Sequence, residues 1–227
     1  KLFRSKGKGV ADLLQYAALI DSGVVQLKDG GLIAGFFYQG EDPQSITNER
    51  IEQISAQANR ALARLGSGWA SHIDAVRLPT AAYSDPQLSA FPDPVTQAID
   101  DERRAHFMRE GRHFETQHAI VLKYTPPIRA KNKVVDLIYD DDGVEESPAD
   151  RQLKIFQAQL GEIEGNLSAV MSIRRMGSYS YTDSFGRTHH GDELVDYVQA
   201  AATGEPHPVN IPPVPMYLDA ILGGQEL

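Results

Sequence analysis

The chain of 227 residues contains no cysteine. That excludes a disulfide framework, a thiol nucleophile and any metal site built on thiolates, and it suits a reducing compartment. No apolar run approaches the roughly 20 residues that span a bilayer. The best attempt, Val10 to Ile20, is broken by Asp12 and Gln15, and it follows the basic stretch KLFRSKGKG without the shape of a signal peptide. Positive charge is scarce: 22 Lys and Arg stand against 31 Asp and Glu, a net charge of −9. Such a balance argues against nucleic-acid binding through phosphate contacts. Basic clusters at Lys1 to Lys8, Arg129 to Lys133 and Arg174-Arg175 are the places where DNA would have to be held. No G-x-x-x-x-G-K-[ST] motif occurs, so no phosphate cradle of that kind is present. GSGWAS (Gly66 to Ser71) has two of three dinucleotide glycines, but it leads from a helix into a strand, the reverse of the required order. G-x-S-x-G and H-E-x-x-H are also missing.

What is present alternates between strand and helix patterns. VADLLQYAALI reads as a short apolar helix or a docking arm, with Leu13, Leu14 and Tyr16 as its contact residues. Val24 to Leu27 and Leu32 to Tyr38 flank a Lys-Asp-Gly-Gly turn, a hairpin signature. A helix follows, starting at Asp42-Pro43 or at Thr47. Its face is Ile51, Ile54, Ala58, Leu62 and Leu65, and Gly66 ends it. WASHIDAVRLP and FETQHAIVLKYTPP are strands, separated by a proline-punctuated loop and a helix from Asp93-Pro94 to about Gly111. Leu153, Phe156, Leu160, Ile163, Leu167 and Val170 form a seam of nearly three heptads on a long helix near 150–176. That seam fits burial against a sheet, and it also fits a self-associating helix. GSYSYTDSFGRTHH is a strand or hairpin. GDELVDYVQAAATG is a helix with Asp192 at its start and Gly204 past its end, and EPHPVNIPPVP is extended. The sum is an α+β fold: a mostly antiparallel sheet covered by helices, on one side of the sheet by this reading. The acidic stretch Asp140 to Asp150 is a connector, since the spacing of a calcium loop is absent.

The one candidate for chemistry lies on the Asp93 helix. Its apolar residues Val95, Ala98 and Ile99 lead, at 100° per residue, to Glu102 and His106. An acid and an imidazole four apart fit a metal-dependent or acid-base enzyme if a further ligand such as His113 or His118 joins them. Buried ions also need partners for purely structural reasons. On that reading Glu102, Arg103 and His106 form a polar lock, and Asp100 with Arg104 is an exposed pair. His189 and His190 are adjacent, so on a strand they face opposite ways.

FPDPVTQAIDDERRAHF followed by FETQHAIVLKYTPP resembles the N-terminal region of the TrbE/CagE/VirB family of conjugal-transfer ATPases, the motors of bacterial type IV secretion systems. LLQYAALIDSGVVQLKDGGL, RALARLGSGWASHIDAVRLP, GDELVDYVQAAATG and YLDAILGGQEL agree in order, so the resemblance runs from about Val10 to the end. It implies that residues 1–227 are one N-terminal non-motor domain, with a sub-boundary at 140–150, of a longer polypeptide. The start at Lys1 and the stop at GGQEL fit such a piece. The resemblance also implies that ATP and magnesium are handled by a C-terminal motor domain, so that this stretch has no catalytic, nucleotide-binding or metal-binding residue and no cofactor of its own. Its implied setting is the cytoplasmic face of the inner membrane. Its implied partners are other secretion-system subunits, including a small inner-membrane subunit, and further copies in a hexamer.

Overall fold

The structure is a computed structural model, and it describes residues 13–42, 44–79, 83–111, 113–126, 147–212 and 217–222. The described chain runs β1 (Tyr16–Asp21), β2 (Val24–Leu27), β3 (Leu32–Gln39), α1 (Asn48–Leu62), β4 (Trp69–Pro79), α2 (Pro94–Glu110) and β5 (Phe114–Tyr124). It continues with α3 (Pro148–Leu167), β6 (Ser172–Arg175), β7 (Ser178–Thr182), β8 (Thr188–Asp192) and α4 (Glu193–Thr203). The α+β expectation holds. A six-stranded sheet has the order β1-β2-β3-β5-β4, with β6 also on β3, and β7 and β8 form a separate hairpin. β2 takes Leu32 to Ala34 of β3, and β6 takes Phe36 to Gln39, both antiparallel.

The helix ends follow local chemistry. Thr47 caps α1 by accepting the Arg50 amide, and Ser147 caps α3 by accepting that of Asp150. The carboxylates of Asp93 and Asp192 accept the amides of Val95 and Leu194 at the starts of α2 and α4. Gly111 and Gly204 end those two helices in the left-handed conformation. The helix α1 stops at Ala63 rather than at Gly66.

By contacts the chain divides into two units, residues 74–118 and the remainder. In the larger unit the strands are apolar on both faces, as the unbroken runs LIAGFF and AIVL require. One face (Val24, Ala34, Phe36, Leu122) packs on Ala61 of α1 and on Phe156, Leu160, Ile163 and Leu167 of α3. The other (Val25, Leu27, Ile33, Val121) packs on Leu194, Val195 and Val198 of α4 and on Val209. Helices therefore cover both faces, not one. The seam of α3 is core, and Phe156 and Leu160 have no exposed surface.

Three readings change. Residues 16–21 are a strand, not part of a helix or free arm, because they pair along β2. β6 was not expected: SIRR is short and half basic, and its order comes from β3. The proline-rich run through 205–212 is irregular as expected, yet Val209 is fully buried. Of the acidic connector, residues 140–146 lie outside the described residues, while Ser147 to Asp150 open α3. The smaller unit comprises the outer stretches of β4 and β5 with α2 between them. Among the described residues no helix is long and apolar enough to cross a membrane.

Candidate functional site

The helix α2 is fastened by its polar side. Gln97, Asp100, Arg104 and Phe107 are the half-buried positions, spaced three and four apart. Asp100 accepts the Tyr83 hydroxyl at 2.6 Å and Arg104 Nη2 at 3.1 Å. Arg104 also donates to the Ser84 carbonyl, and its guanidinium lies 4.9 Å over the Tyr83 ring. The hydrogen bond to Asp100 pushes the Tyr83 phenol above its ordinary pKa. Phe107 meets Tyr83 edge-on at 5.5 Å and stacks on His113 at 3.6 Å. The Asp100–Arg104 pair, expected to be exposed, is thus the clasp that ties the preceding loop to the helix.

The apolar stripe that leads to Glu102 and His106 points the other way. Val95 is 66% and Ile99 55% exposed. Glu102 and His106 are exposed too, with Arg109 3.8 Å from Glu102 and Glu110 3.4 Å from His106. Arg103 is exposed. The expected lock of Glu102, Arg103 and His106 is therefore replaced by Tyr83, Asp100 and Arg104. Periodicity put the stripe at the correct phase and assigned it to the wrong side. Tyr83 was the missed signal: a lone aromatic in a polar loop, before a helix carrying an i, i+4 acid–arginine pair. The same unit also exposes Leu88, Phe91, Met108 and Phe114.

The expected arm residues separate. Leu13 is 67% exposed, whereas Leu14 and Tyr16 pack against the core face beneath α4. Burial raises the Tyr16 phenol pKa. Of the basic clusters, Arg174 is engaged twice by Glu193, at 2.6 and 2.7 Å, and Arg175 lies 3.5 Å from Glu164. The clusters at 1–8 and 129–133 lie outside the described residues.

A second polar group surrounds the start of α4. Asp192, fully buried, accepts the Gly23 amide at 2.8 Å, the Ser178 hydroxyl at 2.7 Å and the Leu194 amide at 3.0 Å. Asp196 accepts the Tyr179 hydroxyl at 2.5 Å and the Val209 amide at 2.7 Å. Burial raises the Asp196 pKa, and burial followed by the Asp196 hydrogen bond raises that of Tyr179. Ser180 and His190 touch at 2.9 Å in a shallow cleft of about 190 Å3. Asp183, the acid nearby in the chain, holds His189 instead, 3.0 Å away. Ser180 and His190 are a cross-strand pair of the hairpin. Among the described residues no group of three or more metal-ligating side chains converges.

These features define an α+β domain with interlocked polar caps and one helix that turns its apolar stripe outward. The sequence model of the N-terminal domain of the type IV secretion system ATPase VirB4/TrbE matches residues 23–132. The conjugal transfer protein TrbE of Rhizobium radiobacter is 43% identical over 221 residues, which is 96% of this chain and 27% of that protein. In Sinorhizobium fredii two separate polypeptides carry the name of probable conjugal transfer protein TrbE. The first is 49% identical over 126 residues, 56% of this chain and 85% of that protein. The second is 40% identical over 70 residues, 30% of this chain and 11% of that protein. The chain belongs to the VirB4/TrbE family of type IV secretion system ATPases, matching its N-terminal domain. It spans about a quarter of the length of the Rhizobium relative.

Proposed function

We propose that this chain is the docking and assembly domain of a conjugal-transfer ATPase, and that ATP and magnesium are bound by a motor domain elsewhere in the parent polypeptide. The observation that carries the reading is the outward stripe of α2, with Val95 and Ile99 more than half exposed. An exposed apolar helix face beside charged Glu102, His106 and Arg109 has the composition of a protein-binding surface, apolar in the middle and polar at its margin. The occupant we assign to it is the small inner-membrane subunit of the secretion system. The domain then sits at the cytoplasmic face of the inner membrane, and the parent protein assembles as a hexamer. Leu14 and Tyr16 leave this role to α2, since both already pack on the core. Enzymatic use of Glu102 and His106 has less support, because both side chains face away from the clasp.

The test is capture of the membrane subunit in detergent by the wild-type chain and by Val95→Glu/Ile99→Lys. The reading expects capture by the wild type and at least a tenfold loss in the variant, about 1.4 kcal/mol or more. Equal capture by a variant that retains its fold contradicts it.

A further inference from the structure

We infer that the larger unit is an interlock of two chain segments, one ending at Pro126 and one starting at Ser147, that hold together without a covalent link between them. Both core faces are shared. The first segment supplies the sheet, with Val24, Phe36 and Leu122 on one face and Val25, Ile33 and Val121 on the other. The second supplies the covers, Phe156, Leu160 and Ile163 of α3 and Leu194, Val195 and Val198 of α4. Such a contact has the character of an obligate interface, a domain core cut in half.

The backbones interlock as well. The second segment inserts β6 beside β3 over four residue pairs, and the Met176 amide donates to the Gly35 carbonyl at 2.9 Å. Gly23 of the first segment donates to the buried Asp192 of the second, and the Ser178 amide donates to Ser22 at 2.8 Å. The fit at Gly23 is close: a Cβ there would lie 1.9 Å from the Met176 carbonyl oxygen, and its φ of +65° already disfavours a side chain. Lys28 reaches Asp219 at 2.8 Å. None of these contacts uses the residues between 126 and 147. The Sinorhizobium relatives add an independent observation. There, two distinct TrbE polypeptides match 126 and 70 residues of this one chain.

The experiment keeps the full chain and inserts a protease recognition sequence, after Pro126 in one variant and before Ser147 in another. Each variant is purified folded, cleaved, and followed by size exclusion and by melting at several concentrations. The inference expects the two pieces to elute together and to melt in one transition. Its midpoint rises with protein concentration after cleavage and is independent of concentration before it, because only separated chains obey mass action. Pieces that elute apart or precipitate on cleavage overturn it. Failure of both insertion variants to fold also overturns it, since continuity of the chain there would then be required. Asp192→Ala in the cleaved chain is expected to release the pieces at higher protein concentration than the cleaved parent does. Glu102→Ala is expected not to. Equal retention with Asp192→Ala assigns the contact no role in holding the segments and counts against the interlock.

Discussion

At the scale of single residues, the buried acids around α4 set the sharpest expectations. Asp192 satisfies two amides and a hydroxyl with no access to water. Asp192→Ala leaves those donors buried and unpaired, and about 2–4 kcal/mol of stability should be lost in denaturant unfolding. Glu193 and Asp196 make opposite contributions to acid stability. The hydrogen bonds from Arg174 hold the Glu193 carboxyl below its ordinary pKa. Its contribution is therefore present above the unfolded value of about 4.3 and is lost as pH falls through the folded value. The difference in unfolding midpoint between wild type and Glu193→Gln should be largest near neutrality and should close in acid. Burial raises the Asp196 pKa, so its charge costs stability at neutral pH, and the fold gains relative stability as that group protonates. Asp196→Asn should compare most favourably with wild type at pH 7 and lose that advantage below the carboxylate range. A parallel shift of both variants at every pH would contradict the assignments. None of this was legible in the sequence, where Asp192 showed only as a helix start. Its other partners, Gly23 and Ser178, are brought to it by the fold.

At the scale of elements, local signals and tertiary ones diverge. The β2–β3 hairpin, the starts of α2 and α4 and the seam of α3 could be read because a turn, a cap or a heptad lies within a few residues of its own cause. The segment at 16–21 could not, because its alanines and leucines satisfy a helix equally well and pairing with β2 decides the matter. The stripe of α2 had the correct period. Its direction depends on Tyr83 and His113, which hold the opposite side of the helix. These two kinds of helix face should respond differently to mutation. Phe156→Ala on α3 opens a cavity in a closed core and should cost about 3–5 kcal/mol in equilibrium unfolding. Ile99→Lys on α2 touches solvent and should change stability by no more than about 0.5 kcal/mol. An equally large loss from Ile99→Lys would mean that the outer face of α2 is packed.

At the scale of the whole molecule, a family of motor proteins contributes here a stretch in which the large side chains, the buried acids and the glycine contacts all serve architecture. The surface left over for function is the outer face of α2. The most direct test uses the parent ATPase carrying Val95→Glu/Ile99→Lys, with ATP hydrolysis by the purified protein and conjugative transfer by donor cells measured side by side. The account predicts that hydrolysis persists while transfer collapses. Hydrolysis lost together with transfer, in a variant that folds and assembles normally, would contradict it by placing the helix within the catalytic cycle.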